Sequence, residues 1–290
     1  MANILAVGIA ALDIINTVKD FPQEDEEVRA LSQRICRGGN AANTLAVLRQ
    51  LGHDCSFAGV LSDDMGGLQI QQDMEQRGID LSPALKWSGG TAPTSYITLN
   101  QRNGSRTIVH YRDLPELPYS WFESLDLSGY DWLHFEGRNV AETLKMMQQA
   151  RKQHPELKLS LEIEKEREDI DTLLPLGDVL LFSRPFALGR GFGSPEECLE
   201  HFSKLAQADI LICTWGDSGA AGLSRGRFEY SQAFPPPRVI DTIGAGDTFN
   251  AGIVDALNRN LPLNDTLQNA CRIAGRKCGQ LGFEHLFQDR

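Results

Sequence analysis

Short apolar runs rich in β-branched residues alternate with segments of helical periodicity along most of this 290-residue chain. The apolar runs predict strands at residues 4–7, 56–60, 132–135, 159–163, 179–182 and 210–214. Segments with apolar residues on one helical face predict helices at residues 40–51, 66–77, 141–154 and 195–206. Because strands that alternate with helices form parallel sheets covered on both faces, the pattern predicts a three-layer α/β/α fold with a mostly parallel sheet.

Two segments break this rhythm, because their apolar and polar residues alternate with a period of two. They are residues 94–100 and 105–111, and the Asn103-Gly104 pair between them is a strong signal for a hairpin turn. Such a hairpin has one apolar face and little core of its own. It therefore either closes over a ligand, packs on a second copy of the chain, or forms a plain extra hairpin at the sheet edge.

The chain contains no internal repeat and no low-complexity linker, so we expect a single domain over residues 1–290. The polar stretch at 16–34 can pair with the hairpin. We therefore predict a small, discontinuous β-lid from about residues 14–34 and 90–112, built as an antiparallel flap on the α/β body.

Composition narrows the class of protein. A net charge of −11 and a pI near 5.0 argue against a broad nucleic-acid footprint or binding to an anionic membrane surface. The longest early apolar stretch is too short to span a bilayer. The six cysteines form no CxxC pair, which is typical of reduced thiols in a cytoplasmic protein rather than of disulfides or a zinc site.

The sharpest chemical signal is the segment 241–249, Asp-Thr-Ile-Gly-Ala-Gly-Asp-Thr-Phe, which leads into an apolar-periodic helix. The small residues Gly244, Ala245 and Gly246 leave backbone N–H groups uncovered at a helix start, where they can bind phosphate or a developing oxyanion. Asp247 would repel bound phosphate unless it had a separate task, and that task is to take the proton from an attacking hydroxyl. This pairing is what phosphoryl transfer to an alcohol requires.

Other phosphate-binding motifs are excluded by single residues. Phe249 stands where the third glycine of a dinucleotide-binding turn belongs, and none of the lysines follows a glycine as in a Walker A loop. A dinucleotide-binding dehydrogenase would also need a glycine-rich turn after the first strand, and residues 8–13 lack it.

A second glycine-rich segment, residues 37–43, precedes the first predicted helix. Gly38 and Gly39 allow a ligand to approach the backbone, Asn40 can cap the helix, and the Asn43 amide can point into the same opening. Amide groups in such an opening suit a neutral polyol, although capping alone would also explain Asn40.

A carboxylate at the end of the first predicted strand, Asp13, can accept two vicinal hydroxyls, because ligands bind beyond the carboxyl ends of parallel strands. An ordinary turn residue is the alternative interpretation of Asp13. The absence of clustered Arg or Lys beside Asp13 or Asn43 in the sequence favours a neutral acceptor over a sugar phosphate.

On these motifs the chain resembles the ribokinase-like (PfkB) carbohydrate kinases, whose two signatures match residues 37–43 and 241–247. Further strings are similar to the ketohexokinase (hepatic-type fructokinase) branch of that family, at residues 31–34, 104–108, 136–139, 234–251 and 277–279. The resemblance implies the ribokinase-like fold and a reaction in which ATP and a ketohexose such as D-fructose give ADP and a sugar 1-phosphate.

The resemblance also implies roles for individual residues. Asp247 would be the catalytic base beside an anion hole at Gly244, Ala245 and Gly246. The sugar hydroxyls would be held by Asp13, Gly39, Asn40 and Asn43. The nucleotide would contact Arg106 in the lid and the loop Gly216, Asp217, Ser218 and Gly219. ATP would come with Mg²⁺, potassium would be held near Asp241 and Ile243, and a homodimer would form through the lids.

One departure concerns magnesium, because many members of the family carry an N-x-x-E motif that helps to organise this ion. The corresponding stretch here is residues 183–186, Ser-Arg-Pro-Phe, which leaves the magnesium ligands unassigned. Glu162 and Glu164 are water-mediated candidates, and ordinary surface carboxylates are the favoured interpretation of both. Two alternative functions stay open, a kinase for another sugar or a nucleoside and a non-catalytic sugar sensor on the same fold.

Overall fold

The computed structural model describes residues 1–287. Its strands are β1 (Asn3–Val7), β2 (Ala11–Val18), β3 (Ser32–Gly38), β4 (Asp54–Ala58), β5 (Val60–Ser62), β6 (Ile79–Asp80), β7 (Leu85–Trp87), β8 (Thr94–Asn100), β9 (Arg106–Tyr111), β10 (Trp132–Glu136), β11 (Lys158–Ile163), β12 (Val179–Phe182), β13 (Ile210–Thr214), β14 (Ala220–Ser224) and β15 (Arg227–Ser231). Its α-helices are α1 (Asn40–Gln50), α2 (Met65–Gln76), α3 (Tyr119–Phe122), α4 (Val140–Gln153), α5 (Arg184–Gly189), α6 (Pro195–Ser203), α7 (Ala245–Asn258) and α8 (Leu263–Cys278).

The body of the protein is a nine-stranded sheet in the order β15-β14-β13-β12-β11-β10-β1-β4-β6. The seven strands from β13 to β6 are parallel, and β14 and β15 extend the edge as antiparallel strands. In β1, Ile4 and Ala6 belong to one apolar core, whereas Leu5 and Val7 belong to the other. The apolar run of β1 therefore reflects burial on both faces of the sheet.

Helices cover both faces and complete the three layers. Residues of α1, α2, α7 and α8 form the core on one side, and residues of α3, α4, α5 and α6 form the core on the other. The predicted strands and helices of the body are present with end shifts of a few residues, apart from one split. The predicted strand 56–60 is divided at Gly59, where an added Cβ would lie 2.5 Å from the Gly8 carbonyl oxygen and 2.3 Å from the Phe57 ring.

A second sheet of four strands, in the order β3-β2-β8-β9, lies beside the body. We call it the small sheet. The predicted hairpin of 94–100 and 105–111 is its β8–β9 pair, with Gly104 at φ +70° in the turn. The outer pairs are antiparallel as predicted, but the central pair β2–β8 is parallel. The segment 16–34 contributes two strand ends rather than one strand, and the sheet extends beyond it to Ala11 and Gly38.

This arrangement corrects the position predicted for Asp13. The first strand ends at Val7, and Asp13 lies inside β2 of the small sheet. Its Cα is in register with Ser95 of β8, which is in register with His110 of β9. Because residues in register on neighbouring strands lie on the same face of a sheet, these three polar side chains share one face, which turns toward the body.

All six cysteines are free thiols, four of them buried. Within residues 1–287, no helix has the length and apolar character needed to cross a membrane.

Candidate active site

A cavity of about 660 Å³ lies between the carboxyl ends of the parallel strands and the small sheet. The structure brings most of the predicted site residues together in its lining, namely Asp13, Gly39, Asn40, Asn43, Arg106, Gly216, Ile243, Gly244, Ala245, Gly246 and Asp247. Asp217 and Gly219 line an adjoining pocket instead, whereas Ser218 and Asp241 line neither cavity. Residues from distant parts of the chain thus meet at one edge of the large sheet.

The N-terminus of α7 forms the floor of the cavity. Gly244 is its N-cap at φ +76°, and a Cβ there would lie 2.2 Å from the Phe283 ring, so only glycine fits. The first-turn N–H groups of a helix have no acceptor within the helix, and the helix dipole makes this end positive. One predicted amide is engaged, because the Ala245 N–H donates to the Thr242 carbonyl at 3.3 Å. The space beside Gly246 is open.

Asp247 lies in the first turn of this helix and is 7% exposed. Its Oδ2 accepts a hydrogen bond of 2.7 Å from the Asn43 amide, and within residues 1–287 it forms no ion pair with Lys or Arg. Burial raises the pKa of Asp247 to about 7, the Asn43 hydrogen bond opposes this rise, and the charges of Glu164 and Glu136 add to it. A carboxyl group with this pKa can take up and release a proton near neutral pH.

The helix that carries Asn43 begins in a way that the sequence did not reveal. Its N-cap is Gly39, at φ +93°, and no side chain caps the helix, so the predicted capping role of Asn40 is wrong. The Asn40 amide instead donates to Glu162 and Glu164 at 3.2 Å each. Gly38 has a packing role, because a Cβ there would lie 2.3 Å from the Asp13 carboxylate.

Glu162 is not an ordinary surface carboxylate, contrary to the favoured sequence interpretation, whereas the Glu164 side chain is 44% exposed and pairs with Lys165. Glu162 is buried, and its Oε1 accepts from Asn40 and from Asn250, the latter at 3.0 Å. Its Oε2 is buried without a hydrogen-bond partner. Burial, followed by the charges of Asp247, Glu136 and Glu164, holds the pKa of Glu162 well above its usual range. Both carboxylates line the cavity beside Asp247.

The Asp13 carboxylate enters the cavity from the small sheet. Burial raises its pKa, while a hydrogen bond from the Ser95 side chain and the charge of Arg37 act in the opposite direction. A basic cluster that was not evident from the sequence also lines the cavity, and its members are Arg138, Lys165 and Arg167. Arg138 is paired with Glu136 and Glu116, so its charge is largely compensated.

An adjoining apolar pocket of about 350 Å³ shares Thr214, Gly216, Thr242, Ala245 and Gly246 with the main cavity. Its walls include Phe234, Pro235, Pro236, Val239, Phe249, Ala274, Gly275 and Cys278. Sequence reasoning missed this pocket, because the run Pro235-Pro236-Pro237 by itself indicates only a stiff connector. The signal that the sequence offered was a glycine inside α8. A Cβ on Gly275 would lie 1.9 Å from the Phe234 carbonyl oxygen, so the segment that contains Phe234 can pack this closely on α8 only at a glycine.

The segment that precedes α7 is held by buried charges. Lys277 is fully buried, and its ammonium donates to the Asp241 carbonyl oxygen at 3.0 Å and lies 3.3 Å from Oδ2 of the same residue. Oδ2 also accepts from Arg34, and Oδ1 accepts from the Ile243 N–H. Arg106 of the small sheet donates to the Thr242 hydroxyl at 2.9 Å. These contacts fix the approach to the helix N-terminus.

Metal binding is limited by the ligands present. Within residues 1–287, no three His, Cys, Asp or Glu side chains lie close enough together to hold a metal ion by themselves. The pair Glu162 and Glu164 suits Mg²⁺, which keeps several waters and binds through one or two carboxylates and substrate phosphates.

The chain matches the family model of pfkB family carbohydrate kinases over residues 1–287. It is 41% identical over 290 residues to ketohexokinase from Mus musculus, with 97% of each chain covered. A putative ribokinase from Agrobacterium tumefaciens has a TM-score of 0.84 at 21% identity, with coverage of 97% of this chain and 92% of that one. The structure of Arabidopsis thaliana ribokinase complexed with ribose and ATP has a TM-score of 0.79 at 18% identity, with coverage of 97% and 94%.

The two solved structures confirm the ribokinase-like fold that the sequence predicted. The family match and the ketohexokinase relative both cover almost the whole chain. The chain belongs to the pfkB family of carbohydrate kinases, enzymes that transfer phosphate to a hydroxyl group of a sugar.

Proposed function

We propose that this protein is an ATP-dependent ketohexokinase that converts D-fructose to fructose 1-phosphate. The observation that carries the proposal is the position of Asp247, a buried carboxylate in the first turn of α7 and in the wall of the main cavity. The identity of 41% to mouse ketohexokinase supports a ketohexose as the acceptor. A cytoplasmic location is part of the proposal, since all six cysteines are free thiols.

In the proposed mechanism, the ionised Asp247 accepts the proton of the attacking hydroxyl, which contributes roughly 10²–10⁴-fold to the rate. The backbone N–H groups of Gly244 and Gly246 and the positive end of the α7 dipole stabilise the negative charge on the transferred group, while the predicted Ala245 N–H is engaged by the Thr242 carbonyl. Each well-placed amide donor of this kind is worth about 10²–10³-fold in turnover. The Asn43 amide keeps one carboxylate oxygen engaged, so the other oxygen is left for the acceptor.

The two ends of the site suit the two substrates. The main cavity is lined by Asp13, Gly39, Asn40 and Asn43, which would hold sugar hydroxyls. The apolar pocket beside Gly246 would take the adenine, with the loop Gly216, Asp217, Ser218 and Gly219 and the lid residue Arg106 near the phosphates. The small sheet would act as a lid that excludes water, which otherwise competes with the sugar for phosphate.

Mg²⁺ is the metal that this family implies, and the residues fit it. Glu162 has a buried oxygen without a hydrogen-bond partner, and Glu164 lies next to it in the cavity lining. These two carboxylates would hold the ion through its waters, and the ion would neutralise charge on the ATP phosphates. The Asp241 carboxylate is already paired with Lys277 and Arg34, which argues against potassium at this position.

We also propose that two copies of the chain associate through the outer faces of their small sheets, the faces that point away from the cavity. An apolar row crosses the four strands of the small sheet on the face away from the cavity. Its residues are in register, and they are Ile35, Ile14, Tyr96 and Val109. Ile35, Tyr96 and Val109 are 45%, 49% and 65% exposed, which is unusual for neighbouring large apolar side chains. A symmetric contact between two such faces would cover them.

The purified protein should release ADP with ATP and D-fructose, and NMR should place the new phosphate on the 1-hydroxyl. The carboxylate and amide side chains around Asp247 can hydrogen-bond to hydroxyl groups, so they favour a neutral polyol as the phosphate acceptor. ADP release with ribose or a nucleoside but not with fructose would contradict the ketohexose assignment. Sugar binding without ADP release would instead indicate a sensor.

The substitution Asp247→Asn should lower kcat by roughly 10²–10⁴-fold, because the amide cannot accept the proton. ATP binding measured by calorimetry should stay nearly unchanged. Asp126→Asn, a fully exposed site remote from the cavity, is the matched control and should keep wild-type turnover. An Asp247→Asn variant with more than about a tenth of the wild-type activity would contradict the role of this carboxylate as base.

The substitution Glu162→Gln should weaken Mn²⁺ binding to the ADP-bound protein by at least about tenfold, because outer-shell carboxylates orient metal-bound water. Free Mn²⁺ can be measured by electron paramagnetic resonance without any turnover. Glu156→Gln, with a side chain that is 71% exposed, is the control. An unchanged Mn²⁺ affinity in Glu162→Gln would remove this residue from the metal site.

The wild-type protein should have a solution mass of about twice its 32.1 kDa chain mass by light scattering. The substitution Val109→Asp should shift it to the mass of one chain, because a charge would be buried without a partner in the lid contact. Leu205→Asp, at a 49% exposed site after α6, should leave the mass unchanged. A wild-type protein that has the mass of one chain at micromolar concentration would contradict the lid-mediated dimer.

A further inference from the structure

A continuous chain of hydrogen bonds leads from the buried face of β3 to the catalytic carboxylate. Arg37, the next-to-last residue of β3, donates through Nη1 to Oδ1 of Asn43 at 2.6 Å. Nδ2 of Asn43 donates to Oδ2 of Asp247 at 2.7 Å. Arg37 is 5% exposed and lies outside the lining of both cavities, so it reaches Asp247 only through the Asn43 amide.

The chemistry of the three side chains leaves the central amide one orientation. A guanidinium group only donates hydrogen bonds and an ionised carboxylate only accepts them. Asn43 must therefore turn its oxygen toward Arg37 and its nitrogen toward Asp247. Without the Arg37 donor, the amide would lose one of the two contacts that distinguish its ends, and only Asp247 itself would then orient it.

Arg37 is itself held on its other edge and on one face. Its Nε donates to Oδ2 of Asp73 in α2 at 2.6 Å, and its guanidinium carbon lies 5.6 Å from the centroid of the Phe283 ring. Asp73 is also paired with Arg77, which contacts Glu284. A guanidinium group fixed by a carboxylate and an aromatic ring loses little further freedom when it binds the amide.

The charges that face Asp247 give Arg37 a second effect. Glu136 at the end of β10, Glu162 in β11 and Glu164 just after β11 are carboxylates that disfavour the ionised form of Asp247. Arg37 acts in the opposite direction and favours that form. An electrostatic interaction inside the protein is screened much less than in water, so a buried cation has an effect even without direct contact.

We propose that Arg37 is a positioning residue for the catalytic base: through Asn43 it fixes the orientation of the Asp247 carboxylate. The buried guanidinium charge of Arg37 acts on the same carboxylate. This inference rests on the proposed function, in which Asp247 is the base. It gives the first residue of the segment 37–43 a role distinct from binding the sugar.

The test is the pH dependence of kcat/KM for fructose in the wild type, Arg37→Met, Arg37→Lys and Asp73→Asn. Activity needs ionised Asp247, so it falls as the pH decreases through the pKa of this group. Arg37→Met removes a favourable positive charge, which raises that pKa, and the acid limb should move upward by about one pH unit. Turnover at pH 7 should fall by about fivefold from this shift, because the ionised fraction of Asp247 drops from about a half to about a tenth, whereas KM for ATP should change little.

The other variants separate charge from orientation. Arg37→Lys keeps the charge and should restore the acid limb to within a few tenths of a unit of the wild type. Asp73→Asn removes a negative charge beside Arg37 and loosens its guanidinium, so kcat should fall while the acid limb stays or moves downward. Arg151→Met is the control for lost stability. It removes a partly buried arginine of α4 that pairs with Asp178 far from the cavity, and it should keep the wild-type pH profile.

A folded Arg37→Met variant with an unshifted acid limb would overturn the proposal. If Arg37→Met does not fold, Asp73→Asn decides: wild-type turnover, or an acid limb that moves upward, would overturn it. The failure of the proposed function has a different signature, because Asp247→Asn would then stay active whatever the Arg37 variants do.

Discussion

The structure depends on keeping a carboxylate inside a cavity without an ion-pair partner. Burial of Asp247 disfavours its charged form, and an adjacent cation would make the carboxylate a poor proton acceptor. The protein resolves this conflict with a neutral amide, that of Asn43, and with the positive end of the α7 dipole. With the resulting pKa of about 7, a substantial fraction of Asp247 is ionised at neutral pH. The ionised carboxylate is also basic enough to accept a proton.

That arrangement requires elements from both ends of the chain. Asn43 and Asp247 are 204 residues apart, and they meet because α1 and α7 pack on the same face of the large sheet. The Thr44 hydroxyl also donates to the Asp247 carbonyl at 3.3 Å, which joins the two helices at their first turns. The small sheet then brings Asp13 and Arg106 over the same point. A parallel sheet with helices on both faces makes such a meeting point at its carboxyl edge.

The sequence was sufficient for the fold and for the two glycine-rich segments, because apolar periodicity and backbone freedom are local properties. It was insufficient wherever a role depends on a distant partner. The capping role predicted for Asn40 fails because its amide bonds to Glu162 and Glu164, more than 120 residues away. The burial of Lys277 against Asp241 and the pocket beside Phe234 are likewise results of packing and have no local pattern.

The most direct test of the proposed mechanism is a crystal structure with fructose and a non-hydrolysable ATP analogue bound. The mechanism predicts a carboxylate oxygen of Asp247 within about 2.6–3.2 Å of the sugar 1-hydroxyl. It also predicts the terminal phosphate of the analogue against the N–H groups at the start of α7, in line with that hydroxyl. A sugar bound elsewhere, or an Asp247 side chain turned away from both ligands, would contradict it.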